Sequence, residues 1–212
     1  MSLLVKEIYP AIIGEGIFAG WSGLIVRLSG CNLNCIYCDT RYAKEGGRRF
    51  ALSSLVEMVD KKGFEQVLIT GGEPLLQKES IALMRRLLKA GKKVILETNG
   101  SLDISAVPRK VHIIMDLKTP SSGEEKANLY ENLNYLKKTD EVKIVLVNRR
   151  DYLWAKELIK RYNLERFQLS FSPAWGFLSA EKLAHWILKD RLNIRLNLQL
   201  HKLIFPGKER RV

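Results

Sequence analysis

The chain has 212 residues, 46% of them hydrophobic, and its 35 Lys and Arg against 23 Asp and Glu give a net charge of +12. This length and composition fit a soluble protein with a substantial core, and we expect one domain over residues 1–212. No apolar run reaches the roughly 18 residues that a membrane-spanning helix needs, and the N-terminus lacks the basic and apolar segments of a secretory leader. The expected protein is therefore cytoplasmic and makes no membrane contact.

The excess of positive charge is compatible with a nucleic-acid partner, an anionic small substrate or a well-solvated surface. Basic residues occur in short groups such as Arg48-Arg49 and Lys92-Lys93, with no long basic tract and no nucleic-acid-binding motif. We expect residues 208–212 to form a solvated tail. On these grounds a nucleic-acid partner is not required.

The predicted elements begin with a glycine-rich loop over residues 10–22, in which Gly14-Glu15-Gly16 either lies against a ligand or only makes a turn. From residue 24 onward, short β-branched runs alternate with longer amphipathic runs. The predicted strands are residues 24–29, 66–70, 93–98, 111–116, 142–147, 167–171 and, less regular, 193–198. The predicted helices are residues 52–62, 77–90, 124–138, 152–162 and 179–189.

About six such βα units are fewer than the eight of a closed barrel of about 250 residues. The pattern therefore predicts an α/β fold in which a mostly parallel sheet forms an open, partial TIM-like barrel. Loops at the carboxyl ends of parallel strands meet at one mouth, so a binding site is expected there. Glycine and polar residues follow the predicted strands at Gly30, 70–74, 97–100, 116–120 and 170–173.

All three cysteines, Cys31, Cys35 and Cys38, stand within eight residues. Their odd number and close spacing argue against a secreted disulfide framework and for a reduced compartment. Clustered thiolates are soft ligands that suit an iron–sulfur cluster or zinc, but a closed structural site normally has four protein ligands. A zinc knuckle or a ferredoxin-like loop would need a fourth ligand, and His112, His185 and His201 are interpreted as core or surface residues rather than that ligand. Three cysteines leave one coordination position for an exchangeable group.

The spacing C-x3-C-x2-C, with Tyr37 before the last cysteine and Gly71-Gly72-Glu73-Pro74 after the next strand, resembles the radical S-adenosylmethionine (SAM) superfamily. The resemblance implies that the three cysteines bind three irons of a [4Fe-4S] cluster. SAM would chelate the fourth iron and yield a 5′-deoxyadenosyl radical on reduction. The positions implied to contact SAM are Tyr37, Asp39, Gly72, Glu73, Thr98, Asn99, Asp116, Lys118, Ser172 and Pro173. For Lys118 a plain loop residue facing solvent is the alternative.

Within that superfamily, residues 9–43 are similar to the 7-carboxy-7-deazaguanine synthase family. That family converts 6-carboxy-5,6,7,8-tetrahydropterin into 7-carboxy-7-deazaguanine with loss of ammonia, on the route to queuosine or archaeosine. The resemblance also implies Mg²⁺, an external reductant such as flavodoxin or ferredoxin, and a homodimer.

Position by position, the resemblance implies that Thr40 binds Mg²⁺ through its hydroxyl, since this cation prefers oxygen ligands. Arg27 would pair with the substrate carboxylate, for which a guanidinium fork is suited. The family usually carries glutamine where this chain has Ile13. The positions implied to contact the substrate are Ile12, Ile13, Gly14, Glu15, Arg27, Thr70, His201 and Lys202.

Two other functions remain open from the sequence. A glycyl-radical-enzyme activating enzyme shares the cysteine spacing but acts on a protein backbone, and it would leave Gly14-Glu15-Gly16, Arg27 and Thr40 unexplained together. A basic iron–sulfur protein that binds nucleic acid is supported by the charge alone.

Overall fold

The computed structural model describes residues 1–208, so the last four positions of the predicted tail lie outside the described residues. In this part of the chain the strands are β1 (Ser2–Ile12), β2 (Ser22–Leu28), β3 (Arg48–Ala51), β4 (Gln66–Gly71), β5 (Lys93–Thr98), β6 (His112–Leu117), β7 (Glu141–Leu146), β8 (Gln168–Pro173) and β9 (Arg195–Leu196). The α-helices are α1 (Leu52–Lys61), α2 (Glu79–Lys89), α3 (Arg149–Tyr162), α4 (Ala180–Asp190) and α5 (Leu200–Ile204). None of the helices in residues 1–208 has the length and apolar character to cross a membrane.

The strands form one sheet in the order β3-β1-β2-β4-β5-β6-β7-β8-β9. From β2 to β9 neighbouring strands run parallel, whereas β1 pairs antiparallel with both β2 and β3. The loop after β1 reaches across to β7, where Ile17 donates to Glu141, and to the segment after β9, where Gly16 donates to Asn197. The sheet thus curves far enough for the loop after β1 to contact β7 and the segment after β9. It stays open, with β3 and β9 as its two edge strands. This confirms the predicted open, mostly parallel α/β fold.

The predicted strands after residue 24 agree with β2 and β4 to β8 within two residues at each end, whereas the last one shrinks to two residues in β9. The predicted helix over residues 124–138 is wrong. Its place is taken by the short 3-10 turns Glu125–Ala127 and Tyr130–Asn134. Asn128 exchanges hydrogen bonds with the backbone of Lys118, and Asn132 donates to the carbonyls of Gly100 and Leu102. These side chains satisfy the backbone of neighbouring loops and so favour turns over a helix.

Strands β1 and β3 were not predicted from the sequence, and β1 extends into the predicted loop as far as Ile12. In β1 the buried positions Leu3 and Val5 are followed by buried Glu7, and a register shift lies between Val5 and Glu7. A carboxylate at a buried position and Pro10 further on interrupt the apolar alternation that identifies a strand.

The strands carry two cores because successive side chains point to opposite faces of the sheet. On the outer face, residues such as Leu24, Val26 and Ile69 pack with the helices into the larger core. The inner face has its own smaller core, which consists of Tyr9, Ile13, Ile25, Leu68, Ile95 and Ile114. We call this inner set the apolar floor. Two residues further along β2, β4, β5 and β6, on the same inner face, stand Arg27, Thr70, Glu97 and Asp116.

We expect Ile95→Ala to destabilise the protein by about 2–5 kcal/mol, because Ile95 is 1% exposed and its removal leaves a cavity in the floor. Urea unfolding followed by circular dichroism measures the change. The control is Leu188→Ala on α4, where the side chain is 73% exposed and the change should stay within about 0.5 kcal/mol. Equal destabilisation by the two variants would contradict the existence of a separate inner core.

Candidate active site

A cavity of about 920 Å³ opens at the carboxyl ends of the parallel strands, above the apolar floor. The predicted site residues line it, with Ile13 and Glu73 as the exceptions. Those that line it are Ile12, Gly14, Glu15, Arg27, Cys31, Cys35, Tyr37, Cys38, Asp39, Thr40, Thr70, Gly72, Thr98, Asn99, Asp116, Lys118, Ser172, Pro173, His201 and Lys202. Residues from both ends of the described chain therefore share one chamber.

The cysteine loop after β2 is held at several points by the backbone. Gly30 donates to the carbonyl of Ala43 at 3.0 Å, and Ile36 donates to the carbonyl of Ser122 at 3.0 Å. All three cysteines are free thiols that line the cavity. Burial raises the pKa of the Cys35 thiol, and the positive charge of Lys118 opposes this shift. Within residues 1–208 no three His, Cys, Asp or Glu side chains are grouped so as to hold a single metal ion.

The glycine pair after β4 packs directly on the cysteine loop. A Cβ on Gly72 would stand 2.2 Å from the carbonyl oxygen of Gly30 and 2.6 Å from the Cβ of Cys31. The neighbouring Glu73 donates its amide to the same Gly30 carbonyl at 2.8 Å. Only glycine permits this close approach of two backbones, and it places Cys31 at the wall of the cavity.

The side chain of Glu73 lies behind that wall rather than on it. Its carboxylate is fully buried and accepts from the Thr98 hydroxyl at 2.9 Å and from the Asn99 amide at 2.7 Å. Burial raises the pKa of Glu73, and these hydrogen bonds oppose the rise. Glu73 therefore joins the ends of β4 and β5 and orients Asn99, whose side chain donates to Asn32 of the cysteine loop at 3.1 Å.

Charged side chains on the inner face form a continuous chain of ion pairs. Lys143 contacts Glu15 at 2.6 Å and Asp116 at 3.4 Å, and Asp116 contacts Lys118 at 2.7 Å. Burial alone would lower the pKa of Lys143, but the carboxylates of Asp116 and Glu15 outweigh it and raise this pKa well above its usual value. Lys118 is only 6% exposed, so its alternative interpretation as a solvent-facing loop residue is wrong.

Glu97 stands on the same inner face, one strand away from Asp116. Its carboxylate accepts from the Thr70 hydroxyl at 2.9 Å. Burial raises the pKa of Glu97, while the nearby Lys143 opposes the rise. The sequence pattern places Glu97 at a strand end but indicates no role for it, and it does not identify Lys143.

Arg27 is oriented by two residues of β1. Its Nε donates to the Glu7 carboxylate at 2.8 Å and its Nη2 to the Tyr9 hydroxyl at 3.1 Å. The hydroxyl of Tyr42 donates to the same Glu7 oxygen at 2.6 Å. Burial raises the pKa of Tyr42 first, and its bond to the Glu7 carboxylate raises it further. Sequence reasoning missed Glu7, Tyr9 and Tyr42, although a carboxylate inside an apolar alternation was a usable signal for the first.

Asp39 and Thr40 meet the C-terminal end of the described chain. The Thr40 hydroxyl donates to one Asp39 oxygen at 2.8 Å, and the other oxygen accepts from Gln199 at 2.8 Å and from Lys202 at 2.9 Å. Although burial alone would raise the pKa of Asp39, the Lys202 ammonium holds it well below the usual value. The residues around α5 thus cover the cavity between Asp39 and Gly14, whose carbonyl accepts from the Leu200 amide at 3.0 Å.

Ile13 does not reach the cavity. Its side chain is fully buried in the apolar floor, its amide donates to the Trp21 carbonyl at 2.8 Å, and its carbonyl accepts from Gly20 at 2.9 Å. The structure therefore does not bring Ile13 together with the other predicted substrate contacts. Its neighbours Ile12 and Gly14 do line the cavity.

Comparison with known proteins shows which family the chain is similar to. The family model described as "Radical SAM superfamily" matches residues 25–122. The chain is 40% identical to 7-carboxy-7-deazaguanine synthase from Chlorobaculum tepidum, over 99% of this chain and 97% of that protein. It is 38% identical to 7-carboxy-7-deazaguanine synthase from Thermoplasma acidophilum, over 97% of this chain and 100% of that protein. The crystal structure of QueE from Escherichia coli has a similar fold, with a TM-score of 0.77, 22% sequence identity and 94% coverage of both chains.

An open parallel sheet with three free cysteines beside a strand-end cavity, together with the matching family model, defines a radical SAM enzyme. Within that superfamily the chain belongs to the 7-carboxy-7-deazaguanine synthase family. A [4Fe-4S] cluster and SAM are the cofactors of this class.

The residues present fit both cofactors. Thiolates are the usual ligands of iron–sulfur clusters, and the chain offers three on one wall. The hydroxyl of Tyr37, at the same wall, is buried without a hydrogen-bond partner among the described residues, and burial raises its pKa to about 12. A bound molecule in the cavity would give this hydroxyl a partner.

We expect Gly72→Ala to lower the iron content and the cluster signal in electron paramagnetic resonance, because the new methyl group displaces Gly30 and Cys31. Cys35→Ala is the positive control for loss of the signal. Gly91→Ala is the control, because at φ +78 the substitution strains the backbone, but no atom lies within 4 Å of the added Cβ, so any loss of stability arises away from the cysteine loop. Iron content unchanged in Gly72→Ala would show that the loop tolerates the displacement.

Proposed function

We propose that this chain is a 7-carboxy-7-deazaguanine synthase, which contracts the ring of 6-carboxy-5,6,7,8-tetrahydropterin to 7-carboxy-7-deazaguanine with loss of ammonia. The observation that carries the proposal is that one cavity joins the three-cysteine loop to the Arg27 guanidinium and the Asp39-Thr40 pair. The names of full-length relatives at 40% and 38% identity support it. The product would serve as a precursor of queuosine or archaeosine.

In this proposal the pterin lies over the apolar floor and its carboxylate pairs with Arg27. Glu7 and Tyr9 fix the guanidinium, so little orientation remains to be lost on binding. The backbone of Ile12 and Gly14 and the side chains of Glu15 and Thr70 would contact the ring. His201 and Lys202 would close the substrate end, and the ring of His201 already lies against Gly14, 2.2 Å from a Cβ placed there.

The cofactors would occupy the other half of the cavity. Cys31, Cys35 and Cys38 would hold the [4Fe-4S] cluster, and when bound together with SAM it supplies the radical chemistry of the reaction. Tyr37, Asp39, Gly72, Thr98, Asn99, Asp116, Lys118, Ser172 and Pro173 are proposed to surround SAM, with Glu73 orienting the β4 and β5 ends behind them. Because Lys143 and Lys118 remain protonated beside their carboxylates, they act as fixed charges rather than as bases.

Mg²⁺ is proposed to bind at Thr40. The Thr40 hydroxyl donates a hydrogen bond to Asp39, which leaves its oxygen lone pairs directed away from that carboxylate. Thr40 would hold a hard cation there, and its charge would help to orient the substrate carboxylate and stabilise negative charge.

Further properties belong to the same proposal. The chain would act in the cytoplasm as a single domain over residues 1–212, as a homodimer, without nucleic acid. An external reductant such as flavodoxin or ferredoxin would supply the electron that the cluster needs.

We expect the reconstituted protein, incubated without oxygen with carboxytetrahydropterin, SAM and dithionite, to form 7-carboxy-7-deazaguanine, detected by mass spectrometry. The control omits the reductant and should give no product. Protein with a full iron complement that yields no deazaguanine would contradict the proposal. A glycyl radical formed instead on an added protein would indicate the activating-enzyme alternative.

We expect Thr40→Ala to raise the Mg²⁺ concentration for half-maximal activity on the order of tenfold or more, because an oxygen ligand is removed. Thr40→Ser keeps the hydroxyl and is the matched control, with a Mg²⁺ dependence close to that of the parent protein. The same dependence in all three proteins would remove Thr40 from the metal site.

A further inference from the structure

The segment of residues 14–17 separates the cavity from the protein interior. Gly14 and Glu15 line the cavity, whereas the next two amides point away from it. The Gly16 amide donates to Oδ1 of Asn197 at 2.9 Å, and the Ile17 amide donates to Oε2 of Glu141 at 2.9 Å. The segment is therefore held from behind by two side chains that do not line the cavity.

Both side chains are fixed in turn to the sheet. Glu141 is fully buried, and its other carboxylate oxygen accepts from the Ser170 hydroxyl and from Nη2 of Arg195 at 2.6 Å. Asn197 is 3% exposed, donates to the Ser172 hydroxyl at 2.7 Å, and through its amide donates to the Phe171 carbonyl at 2.9 Å. Glu141 and Asn197, which accept the hydrogen bonds from the segment, are thus both oriented by residues of β8.

The position of Glu141 on β7 links its contact with the segment to the cavity, because Lys143 of the same strand lines the cavity. Glu141 and Lys143 stand two residues apart on one face of the strand. Glu141 holds the backbone of the segment, and Lys143 holds the Glu15 side chain at 2.6 Å. Strand β7 therefore binds both the backbone of the segment and the side chain of Glu15, which is proposed to contact the pterin. A buried carboxylate is costly to desolvate unless its hydrogen bonds are made. The bond from the Ile17 amide to Glu141 is therefore costly to break, and this favours a rigid position of the loop.

We propose that Glu141, assisted by Asn197, is a positioning residue that fixes residues 14–17 for substrate binding. It touches neither substrate nor cofactor and acts through the Gly16 and Ile17 amides. The inference rests on the proposed function for what the segment binds, but the contact between Glu141 and the segment can be tested without an activity measurement.

The test compares Glu141→Ala, which removes both acceptors, with Glu141→Gln, which keeps one. The matched control is Asp140→Asn, since Asp140 is equally buried but accepts from the amides of Ile113 and Lys137 rather than from the amides of residues 14–17. Glu141→Ala should raise the KM for carboxytetrahydropterin on the order of 100-fold, because a loosened segment misplaces Gly14 and Glu15. Glu141→Gln should raise it less, and iron content and SAM affinity should match the parent protein in every variant.

Amide hydrogen exchange provides the second measurement. Exchange at Gly16 and Ile17 should be faster in Glu141→Ala than in the parent protein and unchanged in Asp140→Asn. If Glu141→Ala does not fold, Glu141→Gln and Asn197→Ala carry the same comparison. A KM within about twofold of the parent value, or an equal rise in the control at equal melting temperature, would overturn the inference.

The two proposals fail in different ways. A parent protein with full cluster that forms no deazaguanine refutes the proposed function, and the exchange rates then decide whether Glu141 holds the segment. Product formation by the parent protein with unaltered exchange and KM in the Glu141 variants refutes the positioning role alone.

Discussion

Burial of charge next to an apolar layer is the constraint on which the rest of the site depends. Because strand side chains two residues apart share a face, Ile25 and Ile114 of the floor are followed directly by Arg27 and Asp116 of the cavity. Charges so close to a dry layer are stable only when they are paired. The pairing is supplied by residues from distant parts of the chain, such as Glu15 with Lys143.

This pairing has a functional consequence. A cavity lined by lone cations would attract any anion and would have to reorganise for each one. Here Arg27 is already bound by Glu7, and Lys143 by Glu15 and Asp116, so the cations are fixed before a ligand enters. Preorganised charge costs little rearrangement at the moment of binding or reaction. The net charge of +12 is therefore a poor guide to the site, where positive and negative groups alternate.

The sequence allowed the parallel strands and the strand-end residues to be predicted because both depend on local pattern. Thr70, Asn99, Asp116 and Ser172 reach one cavity simply because parallel strands end at the same edge. Lys143 could not be assigned in this way, since its role depends on Glu15, 128 positions away in the sequence. Two charged residues, Glu141 and Lys143, inside the buried strand β7 were the available signal.

Other differences have equally specific causes. Residues 124–138 have helical composition, but Asn128 and Asn132 bond to the loops after β5 and β6 instead. The orientation of Ile13 is set by the turn that closes on Trp21 and Gly20, and no periodicity in the sequence reports on such a turn. With its side chain in the apolar floor, an isoleucine is the better residue at this position, because a buried glutamine amide there would need hydrogen-bond partners that the floor does not offer. The side chain of Ile13 therefore belongs to the floor, and the cavity wall is left to Ile12 and Gly14.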